Sequence, residues 1–116
     1  MPCTFETARK IAASFGEVEE GTSYGTAALK VRGKLFARLK EDNDSLVLAT
    51  DFEQRENLIA EDPDTYYITD HYVKYPWILV RLSRVHPDAL RDLLRGAHRF
   101  AAAGKSQTGK KSRKKR

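Results

Sequence analysis

The stretch Ala27-Ala-Leu-Lys-Val-Arg-Gly-Lys-Leu-Phe-Ala-Arg-Leu-Lys40 decides the fold class. Leu29 and Val31 alternate with Lys30 and Arg32. Gly33 then supplies a turn, and Leu35, Ala37 and Leu39 alternate with Lys34, Phe36, Arg38 and Lys40. A period of two belongs to a strand with one face buried, and two such runs across a glycine turn read as a hairpin. The acidic turn Glu41-Asp42-Asn43-Asp44 leads into Ser45–Thr50, a third apolar run. Three short strands with tight links form an antiparallel meander.

Working outward, the period changes to helical on both sides. Thr4 offers an N-cap hydroxyl, and Phe5, Ala8, Ile11, Ala12 and Phe15 recur at helical spacing before Gly16. Glu17–Gly25 reads as an acidic, glycine-punctuated loop. Thr50 or Asp51 opens a second helix, which Asp62-Pro63 ends, because proline biases its predecessor away from helix. Tyr66–Tyr72 and Trp77–Leu82 are β-rich runs around the link Val73–Pro76. Pro87 suits the first position of a last helix with the apolar stripe Leu90, Leu93, Leu94, Ala97 and Phe100. The expected order is α-β-β-β-α-β-β-α. The expected class is α+β, one domain over residues 1–104, with a twisted antiparallel sheet carrying its helices on one face.

Composition bounds the function. The 116 residues suffice for one domain, and 41% hydrophobic against 32% charged residues is the balance of a globular protein. No apolar run approaches the ~20 residues of a membrane span, and no leader precedes the first helix, so a cytoplasmic monomer without a membrane partner is expected. One cysteine, Cys3, excludes an intramolecular disulfide. The formal charge of +5 belongs to the tail, since KSQTGKKSRKKR at 105–116 carries seven basic residues and no acidic one. Residues 1–104 therefore hold 14 Lys and Arg against 16 Asp and Glu, about −2. Such a tail, including Lys110, Lys111, Arg113, Lys114, Lys115 and Arg116, is expected to be disordered. It suits a polyanion, or serves as a solubilising terminus.

No catalytic or metal signature stands out. His71, His86 and His98 lie on three separate elements without ligand spacing, no serine sits in a nucleophile elbow, and Gly21–Gly25 has no phosphate-loop context. No cofactor and no enzymatic activity are expected. Two other groupings carry chemistry. If Leu29, Val31, Leu35, Ala37 and Leu39 face inward, then Lys30, Arg32, Lys34, Phe36, Arg38 and Lys40 stand together outward. That is a cationic ribbon with one ring, suited to phosphate and base. The same face is the ordinary solvated side of a hairpin. The second grouping is His71, Tyr72, Tyr75 and Trp77, followed by Arg81, with Tyr24 as a possible neighbour. Aromatics with polar tips favour half-dry sites, or they plug the end of a small core.

The blocks Glu20–Gly25, Leu29–Arg38, Asp64–Tyr72 and Tyr75–Leu82 resemble the MmcQ/YjbR family across roughly residues 4–100. The resemblance implies a small bacterial cytoplasmic protein. Its fold would be similar to frataxin and to a phage double-wing DNA-binding domain. It also implies DNA as partner, a label that rests on shared fold and supplies no catalytic residue. The alternative is a small-ligand or protein-interaction domain using the aromatic group around Tyr24, His71, Tyr75 and Trp77.

Overall fold

The computed structural model describes residues 3–23 and 25–103. Tyr24, Gly104 and the basic residues of 105–116 lie outside the described residues. The chain runs α1 (Phe5–Ala13), β1 (Val18–Ser23), β2 (Thr26–Val31), β3 (Lys34–Leu39), β4 (Ser45–Ala49), α2 (Phe52–Glu61), β5 (Tyr66–Tyr67), a 3-10 turn (Asp70–Tyr72), β6 (Trp77–Arg81) and α3 (Pro87–Ala102). The six strands form one sheet in the order β1-β2-β3-β4-β6-β5, every pair antiparallel. Among the described residues, no helix is long and apolar enough to cross a membrane.

The helices start and stop where local chemistry dictates. Thr4 caps α1 by accepting from the Thr7 N–H, while the Thr7 hydroxyl accepts from the Thr4 N–H. Asp51 accepts from the Gln54 N–H at 2.7 Å and so fixes the start of α2. His86 Nδ1 accepts from the Asp88 N–H at 3.1 Å, with Pro87 at the first helical position of α3. The stripe Leu90, Leu93, Leu94, Ala97 and Ala101 buries against Leu29, Leu46, Leu48, Ile78 and Val80 of the sheet, and Ala8, Ile11 and Ala12 of α1 complete that core.

Two elements differ from the sequence reading. Residues expected as an acidic loop form β1, an edge strand whose Glu19 and Glu20 are exposed while Val18 pairs with Val31. Its side chains alternate too weakly in polarity to announce a strand; backbone pairing with β2 makes it one. The run Tyr66–Tyr72 pairs only at Tyr66 and Tyr67 before tightening into the 3-10 turn.

The decisive departure is a bulge in β3. Leu29 pairs with Ala37, but Lys30 pairs with Leu35, so Phe36 is an extra residue. The extra residue reverses the face assignment of everything before it on β3. Leu35 comes to lie opposite Lys30, and Lys34 opposite Val31. Phe36, expected outward, is fully buried, its ring edge-on to His98 at 5.4 Å. His98 also meets the Phe15 ring at 5.5 Å and lies 3.2 Å from the Gly16 carbonyl oxygen, which makes it a packing residue. Arg32 leaves the ribbon as well. With φ of 52° at Arg32 and 78° at Gly33, the two residues form a tight turn with both central positions left-handed. Arg32 is ion-paired there with Glu17 at 3.2 Å.

Two outcomes are expected. Phe36→Ala opens a core cavity and lowers unfolding free energy by about 3–5 kcal/mol, whereas Leu35→Ala costs about 1 kcal/mol, as read by urea denaturation. The second concerns Asp42, which accepts from the backbone N–H groups of Asp44 and Ser45 and from the Ser45 hydroxyl. Burial alone would raise its pKa, but these hydrogen bonds outweigh it and hold the carboxyl below its usual 3.8. A depressed folded pKa gives stability that is present above the unfolded value and lost as pH falls through the folded one. Urea midpoints measured from pH 5 downward should therefore fall more steeply for the native chain than for Asp42→Asn.

Candidate functional site

Alternation along β3 beyond the bulge sends Arg38 to the sheet face opposite α3. Pairing places it in a row with Ala28, Val47, Leu79 and Tyr67. That second face is also dry at its centre, with Ala28, Val47 and Leu79 all buried. Long polar side chains take part in its covering. Arg38 is only 5% exposed, and its guanidinium donates to the Tyr72 hydroxyl at 3.1 Å and to the Thr26 hydroxyl at 3.0 Å. Its Nη1 also lies 3.5 Å from Glu41. Arg81 stacks on the Tyr67 ring at 4.2 Å, and Tyr67 shares a 2.6 Å hydrogen bond with the buried Ser45 hydroxyl.

Beside Arg38 the face opens into a cavity of about 280 Å³ lined by Arg38, Lys40, Glu41, Thr69, His71 and Tyr72. Members of both sequence-level groupings meet here. Arg38 and Lys40 come from the hairpin, and His71 and Tyr72 from the aromatic link. The other members are placed elsewhere. Lys30 lies opposite Glu19 on β1, Lys34 lies beside the turn opposite Val31, Arg32 is at the turn tip, and Phe36 is in the core. Tyr75 is exposed, Trp77 packs against the edge of the core, and neither lines the cavity. The expectation of a continuous cationic ribbon is thus corrected: the bulge and the tight turn divide those side chains between two faces and a tip. Glu41 stands at the rim, its carboxyl held below the ordinary value by its own backbone N–H and by the Arg38 and Lys40 charges.

The wall carrying His71 and Tyr72 is held by a residue that sequence reading missed. Arg55, in the middle of α2, is 4% exposed. Its Nη1 donates toward the carbonyls of Tyr72 at 3.0 Å, Tyr75 at 2.8 Å and Trp77 at 3.3 Å, and its Nη2 donates to Val73 at 3.1 Å. The Nε lies 3.5 Å from Glu56, within ion-pair reach but outside hydrogen-bond geometry. One guanidinium therefore ties four carbonyls of a link with little regular structure of its own, and its planar fork is what allows several acceptors at once. No pattern marks this role in sequence, where Arg55 is one more charge on an amphipathic helix. The cavity gathers two cations, two hydroxyls and an imidazole around one carboxylate, Glu41, which pairs with Arg38, so its donors outnumber its fixed negative charge. Among the described residues, no three His, Cys, Asp or Glu side chains are grouped to hold a metal ion.

The family model described as YjbR matches residues 13–100. No curated protein matches the chain. Among solved structures the fold is similar to the crystal structure of Deinococcus radiodurans protein DR2400, which carries the family-model domain DUF419. The two are 23% identical with a TM-score of 0.72, over 95% of this chain and 83% of that one. At that identity the likeness establishes a shared fold.

Replacing Arg55 tests the latch. Arg55→Leu strands four carbonyls and should lower stability by about 3 kcal/mol, given 1.5–3 kcal/mol for a hydrogen bond to a charged group and partial rescue by water. Amide hydrogen exchange should accelerate across Tyr72–Trp77 more than in β4.

Proposed function

The chain belongs to the YjbR family, and we propose that it is a non-enzymatic DNA-binding module that seats backbone phosphate in the Arg38–His71 cavity. The observation that carries this reading is the convergence of Arg38, Lys40, Thr69, His71 and Tyr72 on one hollow at the sheet face. Guanidinium, ammonium and hydroxyl groups all donate to phosphate oxygens. The rings of His71 and Tyr72, in edge contact at 4.8 Å, give an adjoining base something to stack on. Because residues 1–104 carry about −2 overall, attraction rests on local placement of cations and on the basic stretch 105–116. Glu41, a lining residue paired with Arg38, repels phosphate, so an anion in the hollow is held from the side of Lys40, Thr69, His71 and Tyr72.

A second reading has its own support. A hollow of about 280 Å³ is near the lower end of small-ligand pockets, so a phosphorylated small molecule fits the same donors. Titration with a fluorescent duplex, with AMP and with inorganic phosphate separates the sources. The DNA reading expects a chain ending at Gly104 to retain duplex affinity at low salt. It expects Lys40→Ala to reduce the slope of log K against log salt by about 0.9, one phosphate contact. His71→Ala should weaken duplex binding with little change of slope. A truncated chain that ignores duplex even at low salt defeats the module reading, and AMP binding in its place establishes the small-ligand one.

A further inference from the structure

Charge is divided sharply along the chain. Residues 91–116 hold ten of the 21 Lys and Arg but one of the 16 Asp and Glu, a formal +9, which leaves −4 for residues 1–90. Three of those ten, Arg91, Arg95 and Arg99, are on α3 and exposed. At i, i+4 and i+8 they stack on one side of the helix, ~6 Å apart, in a ladder ~12 Å long. Among the described residues none of the three is in an ion pair. Asp92 lies beside them on the helix, and Asp88 is in the first turn, where the helix dipole favours an anion. Arg95 also rests on the Phe15 ring at 4.9 Å, which fixes its position.

Gly96 lies on the same exposed side of α3. A glycine inside a helix is unfavourable against alanine, and such a residue usually has a packing reason. Nothing among the described residues supplies one, because a Cβ at Gly96 would meet no atom of theirs within 4 Å. The open space at this position leaves room for something from outside to come close to the helix backbone. The bare helix backbone at Gly96 has Arg99 one turn after it and Asp92 one turn before it, with Arg95 adjacent in sequence, so a polyanionic backbone would meet it from the arginine side.

We propose that the exposed side of α3, with Arg91, Arg95, Gly96 and Arg99, is a second nucleic-acid surface that takes the phosphate backbone of a duplex. The inference rests on the nucleic-acid reading above for its partner class, but on different residues. The ladder is long enough to meet more than one successive phosphate of a strand. The basic stretch 105–116 follows α3 in the chain, so both cationic segments are tethered together. The Arg38–His71 cavity opens on the other sheet face, so both α3 and the sheet lie between the two surfaces, which gives one molecule two sides on which to hold DNA.

The test uses the full chain and a fluorescent 20-base-pair duplex, with anisotropy read from 25 to 200 mM salt. Substituting Arg91, Arg95 and Arg99 together by Gln should reduce the slope of log K against log salt by about 2–3, at about 0.9 per lost contact. Gly96→Ala should raise the thermal midpoint, because alanine is the better helix former, yet weaken duplex binding several-fold. That opposed pair of effects is not expected of a solvent-facing glycine. A triple variant with unchanged slope overturns the surface, and a Gly96→Ala chain with unchanged affinity overturns the glycine's part in it. Lys40→Ala in the same assay keeps the two readings apart. If its loss is absent while the α3 loss is present, the cavity reading fails and this one stands; the reverse pattern removes this one alone.

Discussion

One extra residue in β3 governs the layout of this molecule. Without the bulge, strict alternation would bring Phe36 out into water and send Leu35 beneath α3. With it, Phe36 and Ala37 both bury, and Phe36 meets the His98 ring, which in turn meets Phe15. The driving force is ordinary: a phenyl ring removed from water contributes more than a half-buried leucine loses, and the bulge leaves only one residue unpaired. The same shift decides where the cations go. It separates Lys34 from Arg38, although four residues of an unbroken strand would leave them on one face.

That constraint explains how much of the fold could be read from the chain alone. Helix boundaries were legible because Thr4, Asp51 and His86 are capping groups at the heads of periodic segments, and proline marks the last of them. The antiparallel meander was legible because period-two runs flank turn residues. Strand β1 was not, since Glu19, Glu20 and Gly21 give no apolar alternation and their order depends on a neighbour. The bulge was not legible either. A run such as Lys34–Lys40 satisfies simple alternation just as well, and only the competition for core volume between Leu35 and Phe36 breaks the tie.

The candidate site shows the same division. Arg38, Lys40, His71 and Tyr72 were each marked by residue type, yet the sequence assigned them to two separate surfaces. Tertiary structure unites them, through the Arg38–Tyr72 hydrogen bond and through Arg55, which binds the carbonyls of the intervening link. Arg55 was invisible because its function lies in acceptors 17 to 22 positions away. Membership in the YjbR family and the likeness to a solved structure speak for the fold that carries this arrangement. The chemistry proposed for it comes from these side chains, since fold alone does not carry function.

The most direct measurement of this account is the set of proton–proton contacts around Phe36 in an isotope-labelled chain by NMR. The account predicts strong contacts from the Phe36 ring to the His98 ring and from His98 on to the Phe15 ring, and none from the Leu35 methyls to His98. Leu35 methyls in contact with His98, with Phe36 free in solvent, would contradict it. The cations of the hairpin would then stand together on one open face after all.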